Sequence, residues 1–476
     1  MRLASAHIVT VSLAALAGCV PSAPAALGQS VELEPCSVFG GVAASCGSLT
    51  VPENPTVPGG RTIDLAITVL PATGPESDRR PDPIFGLMGG PGGAAESLAA
   101  LFAGSPSRSG RDIVLVDQRG TGGSQGMACN TGDAAEWMLV GLRFDFDPSA
   151  CPDFDTDPTQ YTTPIAMDDL DRVREAMGYE RINLWGGSYG ARAALVYMRR
   201  HPERVRSAVL DGVAPLSLKV PAEFPGTSQA ALDLLLEDCA QDPSCASRGD
   251  LAALLDQTLT RLEERPVAVT LPFPGEPAPI TIPFGPLELA SSILYALYSP
   301  FTAATIPAAI EAAHGGDYQP AATLGATFAA SIRPTFSMGM SLSVLCAEDV
   351  PYFTEAAMDA DGEGTFLGTG FADGLHEACA TWPSGSVPQS YHDAVRSNIP
   401  TLLLSGEADP VTPPRFGEAA AASLDASLHL VFPQMGHGQS GLPCGAAIVA
   451  DFYDAGSVEG LDTSCVANVR RPPFSR

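Results

Sequence analysis

The sequence predicts an α/β fold: a mostly parallel, eight-stranded sheet with helices on both faces and a large, mainly helical insertion after the sixth strand. Three observations predict it. Apolar, β-branched runs alternate with helical patterns from residue 47 to residue 211, the rhythm of a parallel sheet covered on both faces. The rhythm breaks after Pro215 and resumes at Ile399, so a block of helical patterns interrupts a sheet that is completed later. The third observation is the stretch Arg181 to Ala191, which reads as a strand, a very tight turn and the start of a helix.

In chain order, Arg2 precedes an apolar run, Ile8 to Ala17, too short to span a bilayer as a stable helix and suited to a targeting segment. The run ends Leu16-Ala17-Gly18-Cys19, which resembles a bacterial lipoprotein signal. That resemblance implies lipidation of Cys19 and a chain anchored at the cell envelope. Cleavage at Ala23-Pro24-Ala25 is the rival reading and gives a soluble exported protein. Residues 1–19 are thus the leader, 20–33 a small-residue tether, 34–215 the first part of the core, 216–398 the insertion and 399–476 the second part of the core.

Gly47 to Val51 and Thr62 to Leu70 read as strands joined by the turn Pro55 to Gly60. Pro83 to Met88 is a third strand and runs into Gly89-Gly90-Pro91-Gly92-Gly93. Such a glycine cluster serves as a plain loop, or lets backbone N–H groups approach a ligand; no Gly-Lys-Ser/Thr follows, so a phosphate-binding P-loop fails. Asp112 to Val116 is a buried strand followed by Asp117-Gln118-Arg119-Gly120-Thr121-Gly122-Gly123-Ser124, read as a structural turn with an Arg–Asp pair. Pro164 to Met177 is an amphipathic helix with Met167, Leu170, Val173 and Met177 on one face.

Ile182, Leu184 and Trp185 then form a buried strand, and Arg192 to His201 a helix. Between them, Gly186-Gly187-Ser188-Tyr189-Gly190 has the form Gly-x-Ser-x-Gly. In a strand–turn–helix setting this form holds the serine on a strained turn at the carboxyl edge of the sheet. Its hydroxyl is then exposed as a nucleophile, and the first helix N–H groups face any developing oxyanion. Arg206 to Asp211 is the sixth strand.

In the insertion, Leu251, Leu254, Leu255, Thr258, Leu259 and Leu262 mark one helix face, and Val267 to Leu271 with Pro279 to Pro283 suit a small hairpin. Cys346-Ala347-Glu348-Asp349 places carboxylates where Glu348 could receive a free α-amino group; a solvated acidic turn is the alternative. Ile399 to Ser405 restarts the sheet. Asp409, in Gly406-Glu407-Ala408-Asp409-Pro410, sits on the loop after that strand. Ser427 to Phe432 is the last strand, and His437 follows it between two glycines. Ser188, Asp409 and His437 occur in the chain order of a triad on this kind of sheet.

The combination of Gly89-Gly90-Pro91-Gly92-Gly93, Asp117-Gln118-Arg119-Gly120-x-Gly122-x-Ser124 and Gly186-Gly187-Ser188-Tyr189-Gly190 resembles the prolyl and tripeptidyl aminopeptidases of the α/β-hydrolase fold. Tyr161-Thr162-Thr163 leading into Met167 to Arg174, and Cys239 to Cys245, are similar to the secreted, tripeptidyl-type branch. Met88 departs from the His usual in prolyl aminopeptidases. The resemblance implies a serine exopeptidase with no cofactor, acting on peptides with a free N-terminus, with Ser188, Asp409 and His437 catalytic. Tyr189 and Gly89 or Gly90 would form the oxyanion hole. A carboxylesterase on the same triad, or an inactive surface-binding protein, are the rival readings.

Composition bounds the partners. The net charge is −28 and Lys219 is the sole lysine, which argues against nucleic acid. The acidity serves solubility, or attracts cationic groups such as a peptide's ammonium. The eleven cysteines become ten without Cys19, an even set that suggests disulfides in an exported chain. They fall in neighbouring couples, 36/46, 129/151, 239/245, 346/379 and 444/465, although spacing does not fix connectivity. No couple has C-x₂-C spacing, so no metal site is expected. Oligomeric state is not legible.

Overall fold

The protein, in a computed structural model, is described over residues 30–129, 134–139, 151 and 154–475. The leader, Cys19 and the tether up to residue 29 lie outside the described residues. The sheet has nine strands: β1 (Glu34–Val38), β2 (Val42–Pro52), β3 (Thr62–Leu70), β4 (Ile84–Leu87), β5 (Ile113–Val116), β6 (Ile182–Gly187), β7 (Val205–Asp211), β10 (Thr401–Gly406) and β11 (Ser427–Phe432). Their order is β1-β2-β3-β5-β4-β6-β7-β10-β11. The first three strands are antiparallel, and every pairing from β5 through β11 is parallel.

The expected count of eight is corrected by β1, whose sequence Glu-Pro-Cys-Ser-Val is exposed at Glu34, Pro35 and Ser37, half-buried at Cys36 and buried only at Val38. It has no apolar face to read, and its proline is tolerated because the strand lies at the sheet edge. A disulfide between Cys36 and Cys46 ties it to β2. The insertion therefore leaves after the seventh strand in chain order, from the carboxyl end of β7.

The parallel centre is dry. Ile84, Phe85, Val114, Leu184 and Leu210 are fully buried. The helix Thr163–Ala176 buries Met167, Leu170 and Val173 against the sheet, the face its periodicity marked. Between β7 and β10 the chain forms the helices Phe224–Gln241, Leu251–Glu264, Pro286–Leu297, Gln319–Ile332 and Met338–Glu348. A hairpin of β8 (Val267–Leu271) and β9 (Ile280–Phe284) lies among them. They share a second large core, in which Leu255, Leu262, Leu271 and Phe284 are buried.

One charged contact fastens this block to the core, and a second closes its neck. Arg192, on the helix Tyr189–Arg200, pairs with Asp349 through Nη1 at 3.0 and 2.9 Å and donates from Nη2 to the Leu218 carbonyl at 2.6 Å. Lys219 Nζ lies 2.6 Å from His392 Nδ1, joining the block's two ends, and burial pushes the Lys219 ammonium down to about 8. The predicted Arg119 turn is structural: Arg119 is fully buried, paired with Asp169 at 2.7 Å and donating to the Glu53 and Gln160 carbonyls.

All five cysteine couples are bonded: Cys36–Cys46, Cys129–Cys151, Cys239–Cys245, Cys346–Cys379 and Cys444–Cys465. Such a set fits maturation in an oxidising, exported setting. Among the described residues no helix is long and apolar enough to cross a membrane.

Candidate active site

Ser188 stands between β6 and the helix Tyr189–Arg200 with φ 59° and ψ −124°. A non-glycine residue there stores about 1–3 kcal/mol of backbone strain, tolerated only where its surroundings fix it. Here β6 is buried through Trp185, the Ser188 N–H donates to the Asp211 carbonyl at 2.8 Å, and the helix beyond is buried along most of its length. The turn is too tight for side chains: a Cβ on Gly190 would come within 2.1 Å of the Leu87 carbonyl oxygen. The loop after β4 is equally close, since a Cβ on Gly89 would meet Ser188 Cβ at 2.9 Å. The Gly89 backbone thus lies beside the serine, whose helix begins with N–H groups that lack intrahelical partners.

Asp409 and His437 come from the loops after β10 and β11, adjacent parallel strands. His437 Nδ1 is 2.8 Å from Asp409 Oδ2, and the carboxylate also accepts from the Val411 and Thr412 N–H groups at 3.0 and 2.8 Å and from Thr412 Oγ1 at 2.8 Å. Burial works to raise the Asp409 pKa, but the His437 charge and these donors outweigh it and hold the carboxyl below its ordinary value. For His437 burial disfavours the cation, yet Asp409 and then Asp211 reverse this and raise its pKa. An imidazole so placed can take a proton and hold it.

Ser188, His437, Gly89 and Gly90 line one cavity of about 500 Å³. The core supplies one wall, including Leu98, Leu101 and Trp185; the block between β7 and β10 supplies the other, including Leu294, Tyr295, Phe328 and Phe336. Tyr189 is buried beneath, its phenol oxygen 2.5 Å from Thr163 Oγ1.

Glu348 is not brought to this cavity, which corrects the expectation that it receives a substrate's amino group. It is fully buried; Oε1 accepts from the Thr163 N–H at 2.6 Å, and Oε2 from Thr163 Oγ1 at 2.8 Å and from the Tyr391 hydroxyl. Burial pushes its pKa up to about 7. Its partners lie far off in the chain, so no local pattern announces them.

Three positioning residues escaped the sequence reading. Asp211, ending β7, accepts from the Gln439 and Ser440 N–H groups and so holds the loop just past His437. Thr412 Oγ1 lies 3.0 Å from His437 Nδ1. The Tyr298 carbonyl accepts the His437 N–H at 2.8 Å, and its ring meets the imidazole edge to face at 5.0 Å. Asp211, at a strand end, and Thr412, the Thr of the Asp-x-x-Thr-Pro pattern that begins at Asp409, carried signals, but both also suit an ordinary turn. Among the described residues no cluster of three or more His, Cys, Asp or Glu is arranged to hold a metal ion.

Residues 83–440 match the family described as alpha/beta hydrolase fold. The chain is 26% identical over 452 residues to serine protease Hip1 of Mycobacterium tuberculosis, covering 84% of each chain. It is 33% identical over 141 residues to a proline iminopeptidase of Neisseria meningitidis, covering 29% of this chain and 35% of that one. A tripeptidyl aminopeptidase of Streptomyces coelicolor is 30% identical over 195 residues, 35% of each chain.

Proposed function

The chain belongs to the alpha/beta hydrolase fold family, and we propose that within it this protein is a serine peptidase working through Ser188, His437 and Asp409. The observation that carries the reading is the 2.8 Å His437–Asp409 pair sharing one cavity with a serine on a strained strand-to-helix turn. The names of its relatives, a serine protease and two aminopeptidases, support peptides as substrates.

In this reading the Ser188 oxygen attacks the scissile carbonyl as His437 Nε2 takes the hydroxyl proton. Asp409 keeps Nδ1 protonated and stabilises the imidazolium. The N–H of Tyr189 and that of Gly89 or Gly90 receive the oxyanion, each donor contributing about 2.7–4 kcal/mol to lowering the barrier. Collapse forms the acyl–oxygen ester and breaks the C–N bond, with the His437 proton passing to the departing amine. Water, deprotonated by His437, then releases the acid and restores the hydroxyl. The wall that the block between β7 and β10 adds to the cavity favours short peptides or chain ends, as an exopeptidase requires.

The lipid anchor at Cys19 belongs to this proposal only through the leader's resemblance. A carboxylesterase is the second reading, favoured by the apolar walls of the cavity. The test is a fluorophosphonate label together with turnover of peptide anilides and a short-chain ester by wild type and Ser188→Ala. Labelling and anilide turnover that both vanish in the variant support the peptidase. Ester turnover alone moves the protein to the esterases, and turnover that survives the substitution overturns the triad.

A further inference from the structure

We infer that the cavity takes an uncharged, apolar acyl group, so that peptides with a blocked amine and a large apolar residue before the scissile bond are cleaved in preference to those with a free N-terminal ammonium. This rests on the serine-peptidase reading and names its substrate class.

The walls are the first reason. Aromatic and aliphatic side chains face the nucleophile from both sides; Tyr295 stacks on Phe328 at 3.9 Å and 9°, and Tyr298 packs against Phe328 at 5.4 Å. A void of about 500 Å³ bounded in this way holds one or two large apolar side chains. Charge is the second reason. Among the described lining residues there is no lysine or arginine, and the one carboxylate is Asp211. Both its oxygens accept backbone N–H groups, at 2.7 Å from Gln439 to Oδ1 and at 2.9 and 2.7 Å from Gln439 and Ser440 to Oδ2.

The third reason is where the nearby acids of the insertion go. The helix Met338–Glu348 offers Ser341 and Leu345 to the cavity, but one turn on Glu348 is committed to Thr163 and Tyr391, and Asp349 to Arg192. Among the described lining residues an ammonium entering here would meet only Asp211, already engaged by the Gln439 and Ser440 N–H groups, in exchange for its water, whereas an acylated amine loses little and an apolar side chain gains. The chain's overall negative charge acts at long range and is screened beyond about 8–10 Å in ordinary salt.

The test uses the oxidised full chain and anilides of one, two and three residues, each ending in Phe or Ala and each with a free or acetylated amine. Acetylated Phe substrates should exceed their free-amine counterparts, and acetylated Ala ones, by at least about tenfold in kcat/KM. A free-to-acetylated ratio of one or more at any length overturns the inference while leaving the peptidase reading standing. No Ser188-dependent turnover of any anilide overturns that reading, and the inference with it. Leu345→Glu puts a carboxylate on the lining. If the variant still labels with fluorophosphonate, the preference for acetylated substrates should fall at least about tenfold; an unchanged ratio shows that the lining does not set it, and the inference fails.

Discussion

Two buried carboxylates, Asp409 and Glu348, have nearly the same surroundings by count and opposite chemistry. Each is sealed from solvent and each accepts three hydrogen bonds from neighbouring N–H and hydroxyl groups. Asp409 also faces His437, which can become a cation, and its pKa is lowered despite burial. Glu348 faces neutral donors, and the nearby cation, Arg192, is committed to Asp349; burial wins and the pKa rises to about 7. Donor count alone does not decide whether a buried acid stays ionised. A partner free to carry the opposite charge does.

Substitution should separate the two acids widely. Asp409→Asn should lower kcat by about 10⁴ with KM little changed, because the imidazole loses its tautomer and its counter-charge. Glu348→Gln should leave kcat within a few-fold; a loss comparable to that of Asp409→Asn in steady-state kinetics would end the contrast. Next in size, Arg192→Met strands Asp349 in the core and should cost about 3–5 kcal/mol in urea unfolding. Adding Asp349→Leu should restore most of it, and no recovery would mean that the pair is not what fastens the insertion.

Glu348 has a folded-state pKa raised from 4.5 to about 7. The stability it leaves in place is fully present below pH 4.5 and is lost as pH rises through about 7, on the order of 3 kcal/mol in all. The urea midpoint of wild type should therefore decline relative to Glu348→Gln across that window; parallel curves would place Glu348 as an ordinary carboxylate. The smallest effect concerns His437. Its raised pKa means that kcat/KM climbs with pH through a midpoint above 6.5. Asp211→Asn removes one of the charges that raise it and should move that limb to lower pH by less than about one unit. A limb that stays put would leave Asp211 a purely structural anchor.

This contrast also marks where the sequence stops being informative. Ser188, Asp409 and His437 were legible because each follows an apolar strand and lies in a glycine- or proline-bounded loop, a local signal. The central parallel strands β4, β5, β6, β7 and β10 were legible because both their faces are buried, and β11, half-buried, by its apolar run. β1 was not, being exposed and proline-bearing. Glu348 was misread because its partners, Thr163 and Tyr391, are 185 and 43 residues away. Arg192 lies on a helix buried from Tyr189 to Met198, and its charge finds Asp349, 157 residues on. Pairings of this kind belong to the tertiary structure, where dry surroundings choose partners that local periodicity does not encode.

Lys219 is the chain's sole lysine, and it touches His392 where the block's two ends meet. Protein carrying isotope-labelled lysine would give a single side-chain signal, already assigned, at the contact between the insertion's two ends. With burial holding its ammonium down to about 8, that signal should move between pH 7 and 9 in the folded protein, and should return to the ordinary lysine range on unfolding in urea.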